Sequence, residues 1–143
     1  MKVGRGAEGF DVSPDQKELW AANAGDGTVS VVDIAGKRVA QTFPVDAKRS
    51  NRLKFTPDGK RVLISDLTTG NLLVIDAASK KEIKRIKVGS GIAGILVAPD
   101  GSRAYIGATP DNYVGVVDLN TLEMTGKIST GKGPDGMDWV SGR

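Results

Sequence analysis

The chain has no cysteine and no histidine among its 143 residues. Without cysteine, neither a disulfide nor a thiolate metal site is open to it. Without histidine, it lacks the commonest general base and the commonest nitrogen ligand for a metal. Aromatic residues make up only 5%, too few for base-stacking platforms, so the sequence pI of about 9.2 is not read as a sign of nucleic-acid binding. No apolar run approaches the roughly 18 residues of a membrane-spanning helix, and no membrane insertion is expected. The start, MKVGRGAEGF, lacks the apolar core of a signal peptide.

What the chain does have is a repeat. A Pro-Asp pair recurs at Pro14-Asp15, Pro57-Asp58 and Pro99-Asp100; an apolar pair closed by aspartate recurs at Asp33, Asp76 and Asp118; a strand end recurs at Val45, Val88 and Thr130. The spacing is 42 to 43 residues in each set, the period of four-stranded propeller blades. The extra residue of the longer interval falls in the linker at 46–51. Within each copy the apolar signal is short and alternating, as in TVSVVD, NLLVID and VGVVD, which predicts strands joined by tight hairpins. Proline presets the backbone of the first turn, and Gly59 or Gly101 accepts a positive φ after it. A second reversal falls at 25–27, 68–70 and 110–112, and a third follows Asp33, Asp76 and Asp118. Each copy therefore reads as a four-stranded antiparallel meander, which needs neighbours to cover its faces. The fold class is all-β, a segment of a β-propeller with blades at 3–44, 45–87 and 88–129. Residues 130–143 read as the first strand of a further blade. Three blades and a strand are fewer than the four to eight that close a ring, which implies either a piece of a longer propeller or copies that assemble to complete one.

The sequence V-G-x-G-x-x-G, followed by apolar alternation, a Pro-Asp turn, a strand such as LWAAN, and then TVSVVD, resembles the YVTN-type β-propeller repeats of bacterial and archaeal surface and periplasmic proteins. These are relatives of the lactonase-like and haem-d-binding propellers. The resemblance covers essentially the whole chain. It implies a periplasmic or secreted location, and it implies that GPDGMDWV is the last inner strand, with Trp139 in the core of a closed ring. A lactonase-like chain would open a cyclic ester with a carboxylate or arginine near the channel, with or without a divalent cation. A haem-d-like chain would need axial histidine, which this segment does not contain.

Charge singles out the middle copy. Residues 3–44 carry four basic and six acidic side chains, 45–87 eleven and five, and 88–129 two and four. Lys80, Lys81, Lys84, Arg85 and Lys87 fall on or beside the outermost strand, where lysines discourage edge pairing. Lys48, Arg49 and Arg52 lie in the linker entering the innermost strand. The first and third linkers have Gly-x-Gly-x-x-Gly, at Gly4, Gly6, Gly9 and at Gly89, Gly91, Gly94; the second has Asp46-Ala47-Lys48-Arg49-Ser50-Asn51-Arg52. The glycine pattern precedes a strand and not a helix, so it does not form a dinucleotide site. In a propeller this linker opens on one end of the central channel. Lys48, Arg49, Asn51 and Arg52, with Arg5 and Glu8 of the first linker, are the candidate ligand-binding residues, aimed at an anion.

No catalytic residue, metal or cofactor is assigned. Asp33, Asp76 and Asp118 are equivalent in every copy and read as turn caps, as does Asp66; Trp20, Leu63 and Tyr105 are equivalent and read as packing between blades. The function expected is a non-catalytic binding scaffold for a protein or a small anionic ligand, with self-association as a route to a closed ring. The rival is a lactonase-like hydrolase.

Overall fold

Period-two alternation sorts the side chains of each strand onto two faces of a sheet, and both faces here are apolar. In the computed structural model, which describes residues 1–141, twelve strands follow from this pattern. They are β1 (Ala7–Val12), β2 (Glu18–Asn23), β3 (Thr28–Asp33) and β4 (Arg38–Pro44); β5 (Ser50–Phe55), β6 (Arg61–Asp66), β7 (Asn71–Asp76) and β8 (Glu82–Lys87); β9 (Ile95–Val97), β10 (Arg103–Ala108), β11 (Tyr113–Asp118) and β12 (Glu123–Ser129). Each set of four is an antiparallel sheet in chain order, so the chain forms three blades of a propeller, with β1, β5 and β9 adjacent at the centre.

The turns close as the residues require. Gln16, Gly59 and Gly101 donate their N–H groups to the carbonyls of Ser13, Thr56 and Ala98 at 2.8 to 2.9 Å. The two glycines sit at φ of +70° and +73°, the left-handed region they enter without a Cβ penalty. Asp33, Asp76 and Asp118 each accept N–H bonds from the turn that follows, from Gly36, Ser79 and the Asn120-Thr121 pair. The extra linker residue is absorbed at 45–47, where the Ala47 N–H donates to the Val45 carbonyl at 2.9 Å, a three-residue turn.

The core lies between blades. Trp20, Val29, Val31 and Phe43 of the first blade meet Leu53, Phe55, Val62, Ile64, Leu73 and Ile75 of the second. The Trp20 ring stands edge-on to Phe43 and Phe55, at centroid distances of 5.4 and 5.3 Å. The opposite face of the second blade, with Leu63, Leu72, Val74 and Ile86, packs on Ile92, Ile95, Ala104, Ile106 and Val117 of the third. The middle blade is thus covered on both sides. The equivalent outward faces of the first and third blades are open: Phe10 and Val12 are exposed on one, and Ile128 on the other. Tyr105, which by repeat position matches Trp20 and Leu63, faces the open side, where the Trp139 ring lies 6.3 Å away.

Residues 130–141 correct one expectation: they form no strand. A ladder needs a partner strand paired along it, and among the described residues no sheet includes this segment. The segment still lies where a fourth inner strand would. A Cβ on Gly94 would run into the Asp135 backbone, just as one on Gly9 would run into Asn51 and Arg52 of the next blade. Trp139 is 45% exposed and not in a core. The last two residues of the expected strand, 142 and 143, lie outside the described residues.

Stability should therefore reside between blades. Leu63→Ala, in the sealed interface of the second and third blades, is expected to lower unfolding stability by about 2–5 kcal/mol. Ile128→Ala, on the open face, should stay within about 1 kcal/mol. Urea unfolding of the two variants checks the difference.

Candidate functional site at the channel mouth

The inner strand of every blade carries an irregularity at the same place. Between Ala7 and Phe10, residues Glu8 and Gly9 oppose a single residue of β2; between Ser50 and Leu53, Asn51 and Arg52 oppose Ser65 of β6. In the third blade β9 begins only at Ile95. Two residues against one is a β-bulge, which re-aims side chains out of the ladder. The bulge places Glu8, Asn51 and Arg52 at the channel mouth, and the Arg52 N–H is satisfied by Ser65 Oγ at 2.9 Å.

By repeat position Gly6, Arg49, Gly91 and Gly133 are equivalent, as are Gly9, Arg52, Gly94 and Gly136. Only the middle blade has side chains at these two places, and both are arginines. Arg49 Nη2 donates to Glu8 Oε1 at 2.9 Å, and Asn51 Nδ2 donates to Glu8 Oε2 at 2.5 Å. The Arg49 hydrogen bond, with help from Asn51 and from the Arg52 charge, holds the Glu8 carboxyl below the usual carboxylate range against the opposing effect of burial. Arg52 turns the other way, with Nη2 3.4 Å from Asp135 Oδ2. Together they form a row of charges in which two arginines, Arg49 and Arg52, stand between two carboxylates, Glu8 and Asp135; Glu8 and Arg52 line a cavity of about 320 Å³ at the centre of the propeller.

Of the residues singled out by sequence, the structure thus brings Glu8, Arg49, Asn51 and Arg52 together. Arg5 stays apart: its Nε lies 2.7 Å from Asp26 Oδ1 within its own blade. Lys48 contributes its backbone N–H to Asp66 Oδ2 at 2.7 Å, and its ammonium makes no ion pair among the described residues. Asp135 was missed by sequence reasoning, although its signal was available, since it occupies the repeat position of Glu8 and Asn51. The role of Asp66 is also larger than a turn cap. Besides the N–H groups of Thr68 and Thr69, it accepts those of Lys48 and Arg49. In the first and third blades that duty falls to Asp26 and Asp111, which accept the linker N–H groups of Arg5 and Ser90. No cluster of three carboxylates that could hold a metal ion forms among the described residues.

Asp66 is 1% exposed. Burial pushes its carboxyl up, but the N–H groups of Lys48, Thr69 and Thr68 and the Thr69 hydroxyl outweigh it and leave the group below its ordinary value. A carboxylate with a lowered folded pKa adds stability above its unfolded value of about 4, and that stability is lost as pH falls through the folded value. Asp66→Asn should cost about 2 kcal/mol near neutral pH, and the gap to the parent chain should narrow as pH drops below about 4. Urea titrations at several pH values test this.

The solved structures that superpose on the chain are propellers. Hydrazine synthase of Kuenenia stuttgartiensis matches at 29% identity and a TM-score of 0.86, over 95% of this chain and 40% of that one. U3-55K matches at 13% identity and a TM-score of 0.84, over 93% and 42%; the WD40 repeats of RRP9 match at 13% and 0.84, over 93% and 41%. The two matches at 13% identity bear on the fold alone. The chain thus spans about two-fifths of the length of these structures. No curated protein matches the sequence. The YNCE-like beta-propeller family matches residues 1–103, and with three blades of the repeat in register around one channel, the chain belongs to that family.

Proposed function

We propose that the chain is a non-catalytic binding scaffold whose partner, a protein segment or a small anion, docks at the channel mouth on Lys48, Arg49 and Arg52. The observation that carries this reading is positional: two arginines stand where the equivalent inner segments have glycine. Close approach of inner strands calls for glycine, as the Gly9 and Gly94 contacts illustrate. Arginine at these places answers no packing demand. Glu8, on the neighbouring strand and itself held by Asn51, orients Arg49, and the ammonium of Lys48, which has no ion-pair partner among the described residues, leaves the rim with one more positive than negative charge.

Ring-opening of a lactone is the rival. It would need a carboxylate able to accept a proton near neutral pH. Glu8, already holding two donors and pulled below its usual range, is poorly suited to that task. The reading also includes self-association: the open faces of the first and third blades carry the repeat equivalents of residues that pack against each other inside the chain, so two copies could meet head to tail.

A hexaglutamate peptide is the probe for the mouth. Calorimetric titration should show binding that weakens at least about tenfold when Lys48, Arg49 and Arg52 are all replaced by alanine. Absence of binding, or affinity unchanged in the triple variant, would remove the mouth as the site. For self-association, light scattering across a concentration range should give a discrete oligomer, and a monomer throughout would overturn that part.

A further inference from the structure

The cavity behind the charged rim is layered by repeat position. In one layer Arg52 is the only side chain, its equivalents Gly9, Gly94 and Gly136 leaving the space around it open. The next layer is entirely apolar, formed by Phe10, Leu53, Ile95 and Met137, which are again equivalent positions of the four inner segments. Phe10 is 64% exposed.

The charged groups around this space differ in how fully they are engaged. Lys54 Nζ lies 3.5 Å from Asp11 Oδ1, and Glu8 holds two donors. Arg52 makes a single contact, 3.4 Å to Asp135, between side chains that are 42% and 47% exposed. A guanidinium has five N–H donors in a planar fork, so most of its capacity is unused. The carboxylate it touches belongs to the segment without a ladder. That segment is held by the Thr109 hydroxyl, which donates to the Pro134 carbonyl at 2.8 Å, and by the Gly133 N–H, which donates to Asn112 Oδ1 at 3.0 Å.

Building on the channel-mouth reading, we propose that this cavity binds an apolar monocarboxylate. Its head group takes the Arg52 fork in place of Asp135, and its hydrocarbon body lies on Phe10, Leu53, Ile95 and Met137. A bidentate arginine–carboxylate pair is stronger than one long contact, and covering Phe10 and Met137, the part of the apolar layer left open beside the buried Leu53 and Ile95, removes hydrocarbon from water. A hydrophilic anion gains only the first of these, and a neutral alcohol only the second. The volume of about 320 Å³ falls at the small end of ligand pockets, which suits a short chain. Two sources share this chemistry: a free aliphatic acid, and the C-terminus of a peptide ending in an aliphatic residue.

Calorimetric titration with octanoate, 1-octanol, sulfate and the tripeptide acetyl-Gly-Gly-Leu tests the proposal. Octanoate or the tripeptide should bind at least about tenfold more tightly than octanol and sulfate, and whichever of the two binds names the source. Arg52→Gly, which installs the residue found at this position in the other inner segments, should abolish the preference for the acid over the alcohol. Asp135→Asn should tighten acid binding about threefold by removing the internal competitor. Equal binding of octanoate and octanol, or a preference that survives Arg52→Gly, would overturn the proposal. If hexaglutamate binds while both apolar acids fail, only this inference falls; if all three fail, the channel-mouth reading falls with it.

Discussion

A sheet with two apolar faces must be enclosed on both sides, and the rest of this structure depends on that demand. The middle blade meets it in full: Leu63, Leu72 and Val74 lie on one face, Val62, Ile64, Leu73 and Ile75 on the other, and all are buried. Stacking the blades radially brings the inner strands closest together. There the packing leaves no room for a Cβ at Gly9 or Gly94, and a bulge lets the backbone cross that crowded region.

The candidate site exists because the middle blade departs from this arrangement. Arg49 and Arg52 replace two of the glycines; Arg49 stands just before the strand, and the bulge turns Arg52 out of the ladder. Each reaches a carboxylate on a different flank, Glu8 on one side and Asp135 on the other. The two arms are unequal. The first is short and supported by Asn51, whereas the second is long and lies on a segment tied down by a few contacts.

Much of the fold could be read from the sequence because its signals are local. The Pro-Asp turns, the aspartates that cap the third reversal and the alternating runs each act over a few residues, and three copies in register reinforce one another. The bulge was not legible, since alternation resumes at Leu53 as though the ladder had never been interrupted. The place of 130–141 was only half legible: its residues match an inner strand, but a strand also needs a partner, which its own sequence does not supply. Four of the candidate site residues converge because they share two neighbouring linkers. Arg5 does not join them, because Asp26 takes it within a turn of its own blade, and nothing in the linker alone announces that competition. Asp135 could have been found by carrying the repeat alignment one step further.

Asp26, Asp66 and Asp111 have a consequence for how such a chain can change its length. Each satisfies the linker of the blade to which it belongs, and the second blade keeps this economy although its carboxylate has moved to the end of a strand. The linker N–H groups of a blade thus depend on a carboxylate of that same blade, whereas apolar contact and a few polar ones, such as the Phe55 N–H on Asp11, come from the neighbour. Gene duplication or deletion of a whole repeat would therefore leave these linker N–H groups paired, so that a blade can be gained or lost without its linker having to find a new acceptor.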